Sequence, residues 1–206
     1  MKTILAFGDS LTWGSCPHTN NRHPKEDRWP EAMAAGLDGV DVISEGLRGR
    51  TTAYYRAGNC ELRGDLLLPA LIQTHDPLDL VMIMLGTNDV YAGISEVEIY
   101  WGLRRLVDIV QSYPYSLEGA VPPKILLISP PTFVADKCFG VSEEKVALGR
   151  ALHSTVGRLA QEKDVAFFDA ASVAHAEAGD GLHLEAHVSR ALGEALRAPV
   201  KELLSL

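Results

Sequence analysis

The chain has 206 residues, 47% of them hydrophobic and 22% charged, with a formal net charge of −8. That length holds one sizeable α/β domain and is short for two, so a single domain over residues 1–206 is expected. The acidic balance, with Lys and Arg dispersed rather than blocked, excludes a nucleic-acid surface, which needs a basic patch.

Residues 2–7 (KTILAF) open the chain as a short apolar run that ends in Gly8-Asp9-Ser10. A lysine ahead of an apolar run has the outline of a secretion signal. The run is only about five residues, however, where the apolar region of a signal needs roughly 7–15, and no small-residue cleavage site follows. It reads as a first core strand, and the expected location is the cytoplasm. The other long apolar run, LVMIMLG (80–86), is far short of a membrane span, so no membrane insertion is expected. The cysteines (Cys16, Cys60 and Cys138) are odd in number, widely spaced and without a C-x-x-C pair. They suggest reduced thiols rather than a zinc site or disulfide framework, and neither a metal nor a cofactor is expected.

Four further β-like runs follow: 40–44 (VDVIS), 78–85 (LDLVMIML), 124–129 (KILLIS) and 165–169 (VAFFD). Continuous apolar runs of this kind suit strands covered on both faces, as in a parallel sheet. Helical patterns occupy 28–37, with Pro30 near the start where its missing N–H is harmless, and 95–113, where Ser95 and Glu98 have capping-box spacing. Two more cover 142–163 and 184–204, with Pro199 expected to kink or interrupt the second. Stretches 15–28 and 112–124 read as long loops. The alternation of strands and helices predicts a three-layer α/β/α sandwich around a five-stranded parallel sheet, flavodoxin-like in outline.

In such a sheet ligands bind outside the carboxyl ends of the strands. The segments following the strands are Gly8-Asp9-Ser10, EGLRGRTT (45–52), GTND (86–89), PPTF (130–133) and a loop reaching GDGLH (179–183). Four of these carry groups suited to acyl transfer. Ser10 is a weak nucleophile until a base takes its proton, His183 is a candidate base, and Asp180 can orient the imidazole from three residues upstream. The Ser10 N–H, a backbone N–H at Gly49 and the Asn88 amide are candidate oxyanion donors. Singly, each has an ordinary reading. Gly-Asp-Ser and Asp-Gly make turns, Asn88 caps a helix, and a histidine between two leucines serves the core. Their recurrence at matching sheet edges favours the catalytic reading.

FGDSLTWG (7–14), a glycine in EGLRGRTT, MLGTND (84–89) and DGLH (180–183) resemble, in order, the four blocks of the SGNH hydrolases, also called the GDSL esterase/lipase family. The resemblance implies Ser10 as nucleophile, Gly49 and Asn88 as oxyanion donors, and Asp180 with His183 completing a triad. Gly46 lies in the same block, but the residue just before Arg-Thr-Thr is the better match to the contact. FGDSLTWG, DRW (27–29), EGLRGRTT and DPLDLVMIMLGTND (76–89) look most like the bacterial arylesterase/acyltransferase branch. That likeness implies a homo-oligomer, octameric in some members, and acyl transfer to alcohols through a narrow apolar channel. Trp13, Phe133 and Leu182 are then candidate wall residues, equally ordinary as core residues. The polar, histidine-containing segment 15–27 departs from a purely apolar channel. His187 follows His183 by four, but Glu185 stands third rather than second in HLEAH, so the metalloprotease helix pattern is not met and His187 reads as helix surface or lid.

The expected activity is hydrolysis of short acyl or aryl esters through an acyl-enzyme on Ser10, with a small-molecule ester as partner. Carbohydrate deacetylation, thioesterase or lysophospholipase activity would use the same residues. A catalytically silent binding module is the non-enzyme alternative. No G-x-G-x-x-G or P-loop follows the first strand, and no G-x-S-x-G occurs, which disfavours nucleotide binding and the nucleophile-elbow hydrolases.

Overall fold

A computed structural model of the chain describes residues 1–54, 60–176 and 179–206. Strands β1 (Lys2–Gly8), β2 (Val40–Gly46), β3 (Leu80–Met84), β4 (Lys124–Ser129) and β5 (Ala166–Asp169) form one parallel sheet in the order β2-β1-β3-β4-β5. The helices are α1 (Ser10–Trp13), α2 (Trp29–Ala34), α3 (Gly64–His75), α4 (Thr87–Tyr91), α5 (Glu96–Ser112), α6 (Glu143–Lys163) and α7 (Ala186–Leu204). This is the expected three-layer sandwich.

Alternate residues of each apolar strand supply two separate cores, because successive side chains point to opposite faces. Leu5, Phe7, Val81, Ile83, Ile125 and Leu127 pack against α3, α5 and α6. Ile4, Ala6, Leu80, Met82, Leu126 and Ile128 pack against α2 and α7 through Trp29, Met33, Leu192 and Leu196. The Ser95 capping box forms as the spacing predicts: Ser95 Oγ accepts from Glu98 N–H at 3.3 Å, and Glu98 Oε2 accepts from Ser95 N–H at 3.0 Å.

Beyond the short α1 and α4, three helices depart from the sequence pattern. Helix α3 lies between β2 and β3, where Gly64 and the internal Pro69 mask any helical periodicity in the sequence. The first predicted helix ends early: beyond Ala34 the chain tightens, with Gly36 N–H and Leu37 N–H donating to Met33 and Ala34 carbonyls three residues back. Pro199 does not interrupt α7, which runs through it to Leu204. Burial of Leu192, Leu196, Val200 and Leu204 along one stripe holds the helix across the lost hydrogen bond.

The register brings Gly8 opposite Gly46 at the carboxyl edge. A Cβ on Gly8 would sit 2.0 Å from Thr12 Oγ1, and one on Gly46 would sit 2.1 Å from Trp13 N. The bare backbones let the single turn of α1 fold straight back onto the strand ends. The glycine before Asp9-Ser10 is therefore a packing requirement.

Candidate active site

Strand β1 ends in that close-packed turn, which carries Ser10 at the carboxyl edge of the sheet. Asp9 caps α1, its Oδ1 accepting from Leu11 N–H at 2.9 Å. The Ser10 N–H, first in the turn, has no carbonyl of its own helix to reach and is left as a donor. Ser10 is 6% exposed.

The loop at 179–183 brings its residues to Ser10 from across the sheet. His183 Nε2 lies 3.0 Å from Ser10 Oγ, and His183 Nδ1 lies 2.6 Å from Asp180 Oδ2. Asp180 Oδ1 also accepts from the Leu182 and His183 N–H groups at 3.0 and 2.9 Å, folding the loop around the carboxylate. Partial burial pushes the Asp180 carboxyl up, but the His183 N–H, the imidazole and the Leu182 N–H together hold it below the usual carboxylate range. An ionised Asp180 on Nδ1 leaves Nε2 of a neutral imidazole free to accept a proton from Ser10.

Segment 15–28 clamps this loop rather than simply covering the site. Asp180 N–H donates to Pro17 O at 3.1 Å, His23 Nε2 lies 2.9 Å from Leu184 O, and His18 Nε2 lies 2.5 Å from Glu185 Oε1. His23 is itself buried.

Gly49 stands third in the Leu47–Arg50 turn, closed by Arg50 N–H on Leu47 O at 3.0 Å, with a φ of 81° that suits glycine. Gly46 lies beneath α1 instead. Asn88, on α4, directs Nδ2 to Arg50 O at 3.0 Å and to Asp9 Oδ2 at 3.1 Å. A carbonyl can only accept, so the Arg50 contact fixes which way the amide faces. Both amide protons have acceptors, so donation to a third oxygen requires one proton to be shared.

Ser10, Arg48, Gly49, Asn88, Tyr91, Leu182 and His183 line one pocket of about 400 Å³. Two expected wall residues lie elsewhere. Phe133 is 5% exposed and packs its ring against Gly149 of α6, where the missing side chain opens a slot in the core. Trp13 is covered by two guanidinium groups, Arg22 and Arg48, each just over 5 Å from its ring centroid (5.1 and 5.3 Å). Leu182 does line the pocket, while His187 is exposed in the first turn of α7. Among the described residues no cluster of three or more His, Cys, Asp or Glu is placed to hold a metal ion, and no helix is long and apolar enough to cross a membrane.

The GDSL-like lipase/acylhydrolase family matches residues 6–191. The chain belongs to this family. A carbohydrate acetylesterase family member from Sinorhizobium meliloti superposes with a TM-score of 0.92 at 38% identity, all of both chains being covered. A candidate arylesterase from Agrobacterium tumefaciens strain C58 gives 0.91 at 44% identity, covering 99% of this chain and 100% of the other. An arylesterase of Vibrio mimicus is 32% identical over 112 residues, which are 52% of this chain and 48% of that protein. The chain thus spans about half the length of that curated relative.

Within this GDSL-family site the sequence reading passed over three buried charges. Asp9 is fully buried, and burial pushes its carboxyl up to about 7, with the nearby Asp89 charge adding to the rise. Asp89 accepts from Thr52 N–H at 3.0 Å and from Thr52 Oγ1 at 2.6 Å, and burial pushes it up to about 6. Arg50 donates to the Gly8 and Glu45 carbonyls, stands 4.1 Å from the Phe7 ring centroid, and is lowered to about 10 by burial. All three belong to the quoted blocks, and a charge inside an otherwise apolar or turn-forming block was the available signal.

Proposed function

We propose that this GDSL-family chain is a serine carboxylester hydrolase acting on short acyl and aryl esters through an acyl-enzyme on Ser10. The observation that carries the reading is the 3.0 Å approach of His183 Nε2 to Ser10 Oγ, with Asp180 on the opposite ring nitrogen at 2.6 Å. Ser10 Oγ attacks the ester carbonyl as its proton passes to His183 Nε2, and the carbonyl oxygen becomes an oxyanion facing the Ser10 and Gly49 N–H groups and the Asn88 amide. The C–O bond to the alcohol then breaks, and the leaving oxygen takes the proton from the imidazolium. Water repeats the sequence in reverse roles, giving the acid and free Ser10.

A fluorophosphonate probe should add one adduct, located on Ser10 by mass spectrometry. Ser10→Ala should lose about 10⁴-fold or more in turnover of an activated acetate ester. Retained labelling or turnover in Ser10→Ala would refute the assignment. An alcohol competing with water for the acyl-enzyme would make the protein an acyltransferase too, read as ester product in aqueous alcohol. The likeness to the S. meliloti protein supports a second reading, removal of acetyl groups from carbohydrate. A panel of aryl acetates and acetylated sugars separates the two. Assembly into a homo-oligomer belongs to the same proposal and is read by light scattering.

A further inference from the structure

The pocket mouth has a charge opposite to that of the molecule. The chain carries a formal −8, yet the charged lining residue beyond the proposed His183 base is Arg48. Arg48 stands at the outer corner of the Leu47–Arg50 turn, one residue before the backbone N–H at Gly49, and its side chain is exposed where Ser10 is buried. It therefore lies at the rim, above the reacting atoms.

Three observations make this cation more than a solvated surface arginine. Its guanidinium is held on the Trp13 ring, 5.3 Å from the centroid, which fixes where the charge sits. Arg22 lies on the same ring at 5.1 Å and is anchored by Nε–H donation to Trp13 O at 2.6 Å. Two guanidinium groups thus share one ring beside the rim, and added salt screens the field of both. Among the described residues neither forms an ion pair. Lys145 Nζ lies 5.2 Å from the ring of Tyr91, another lining residue, and donates to the carbonyls of Tyr91 and Gly140. The lining itself holds no carboxylate to neutralise Arg48; Asp180 stands behind the His183 ring, on its Nδ1 side.

We infer that Arg48 selects esters whose alcohol part carries an anionic group, a carboxylate above all. This rests on the Ser10 ester-hydrolase reading and names the substrate class for that site. The alcohol is the part concerned because it departs toward solvent past the rim, while the acyl carbon stays on Ser10. A guanidinium presents paired donors to a carboxylate, giving geometry as well as attraction.

The test compares 4-acetoxybenzoate with its neutral counterpart 4-acetoxybenzamide, in the wild type, Arg48→Gln and Arg48→Glu. Because each preparation is its own reference, the ratio of the two kcat/KM values is insensitive to misfolded enzyme. The ratio should fall about three- to tenfold in Arg48→Gln, mainly through KM, and further in Arg48→Glu. In the wild type it should also fall as salt rises from 0.05 to 0.5 M. An unchanged ratio in both variants overturns the inference while leaving the esterase reading intact. A fall seen only with phenyl hemisuccinate, where the anion is in the acyl part, overturns the assignment to the alcohol. A wild type that cleaves no ester overturns both readings.

Discussion

Asp9 and Asp180 both serve the candidate site, and their surroundings differ. Asp9 is sealed beneath Ser10 at the end of a core strand, and burial pushes it up to about 7. Asp180 sits in a partly exposed loop that wraps it in N–H donors and holds it below the ordinary range against the opposing effect of burial. Both carboxylates accept hydrogen bonds, but the donors around Asp180 outweigh its partial burial, whereas full burial outweighs the Leu11 N–H and Asn88 amide on Asp9 and makes its charge costly. The same contrast runs through the backbone. The Ser10 side is built on the sheet and closed by Gly8 against Thr12, whereas the His183 side is built from loops tied to other loops.

The largest effect should come from the charged partner of the imidazole. Asp180→Asn keeps the shape but removes the charge and disturbs the tautomer, and should lower kcat by about 10⁴-fold. A loss under tenfold would remove Asp180 from the role that separates it from Asp9. Next comes the amide that Asp9 helps hold. Asn88→Ala should cost about 10²–10³ in kcat with KM little changed, as expected for a donor used mainly in the transition state. An equal effect appearing in KM alone would assign Asn88 to ground-state binding instead.

A smaller effect measures how much the loop side depends on its clamp. His23 is buried with Nε2 2.9 Å from Leu184 O, one residue beyond His183. His23→Ala should lower kcat about tenfold by loosening the loop, with fluorophosphonate labelling of Ser10 slowed in proportion. His23→Gln, which can still reach the carbonyl, should recover part of the loss. Failure of the conservative variant to differ from alanine would show that the clamp does not depend on this contact.

This difference also explains what was legible in the sequence. The strands read well because each is a short apolar run covered on both faces, and the Asp180–His183 spacing read well because its geometry is local. Helix α3 was hidden by Gly64 and Pro69. The buried charges were hidden by separation: Asp89 meets Thr52 across 37 residues, and Asn88 meets Asp9 across 79. No local pattern marks a carboxylate whose partner is that distant. Phe133 and Trp13 illustrate a related limit. An aromatic residue at a sheet edge can turn inward or outward, and here Gly149 and two arginines decide. The residues that do line the opening beside Leu182, namely Arg48 and Tyr91, carry no hydrophobic signature pointing jointly to a channel wall.

The smallest effect on activity, and the most direct measure of the contrast between the two carboxylates, is expected from Asp9→Asn. Burial raises the folded-state value of Asp9 from an ordinary 3.8 to about 7, so the folded protein binds a proton that the unfolded chain releases. Its stabilising contribution is therefore fully present below pH 4 and is lost as pH rises through about 7. Asp180 has the opposite sign, because its folded value is depressed. Its contribution is present above its ordinary value and is lost on acidification. Asparagine at position 9 is neutral throughout, and the rise of Asp89 to about 6, caused by its own burial, is common to both proteins. Urea unfolding of wild type and Asp9→Asn from pH 4 to 8 should therefore give diverging curves. The wild type should lose stability relative to the variant as pH rises, by an amount on the order of a few kcal/mol across the range. Parallel curves would mean that Asp9 titrates alike in both states, and that its burial between Ser10 and Asn88 carries no electrostatic cost.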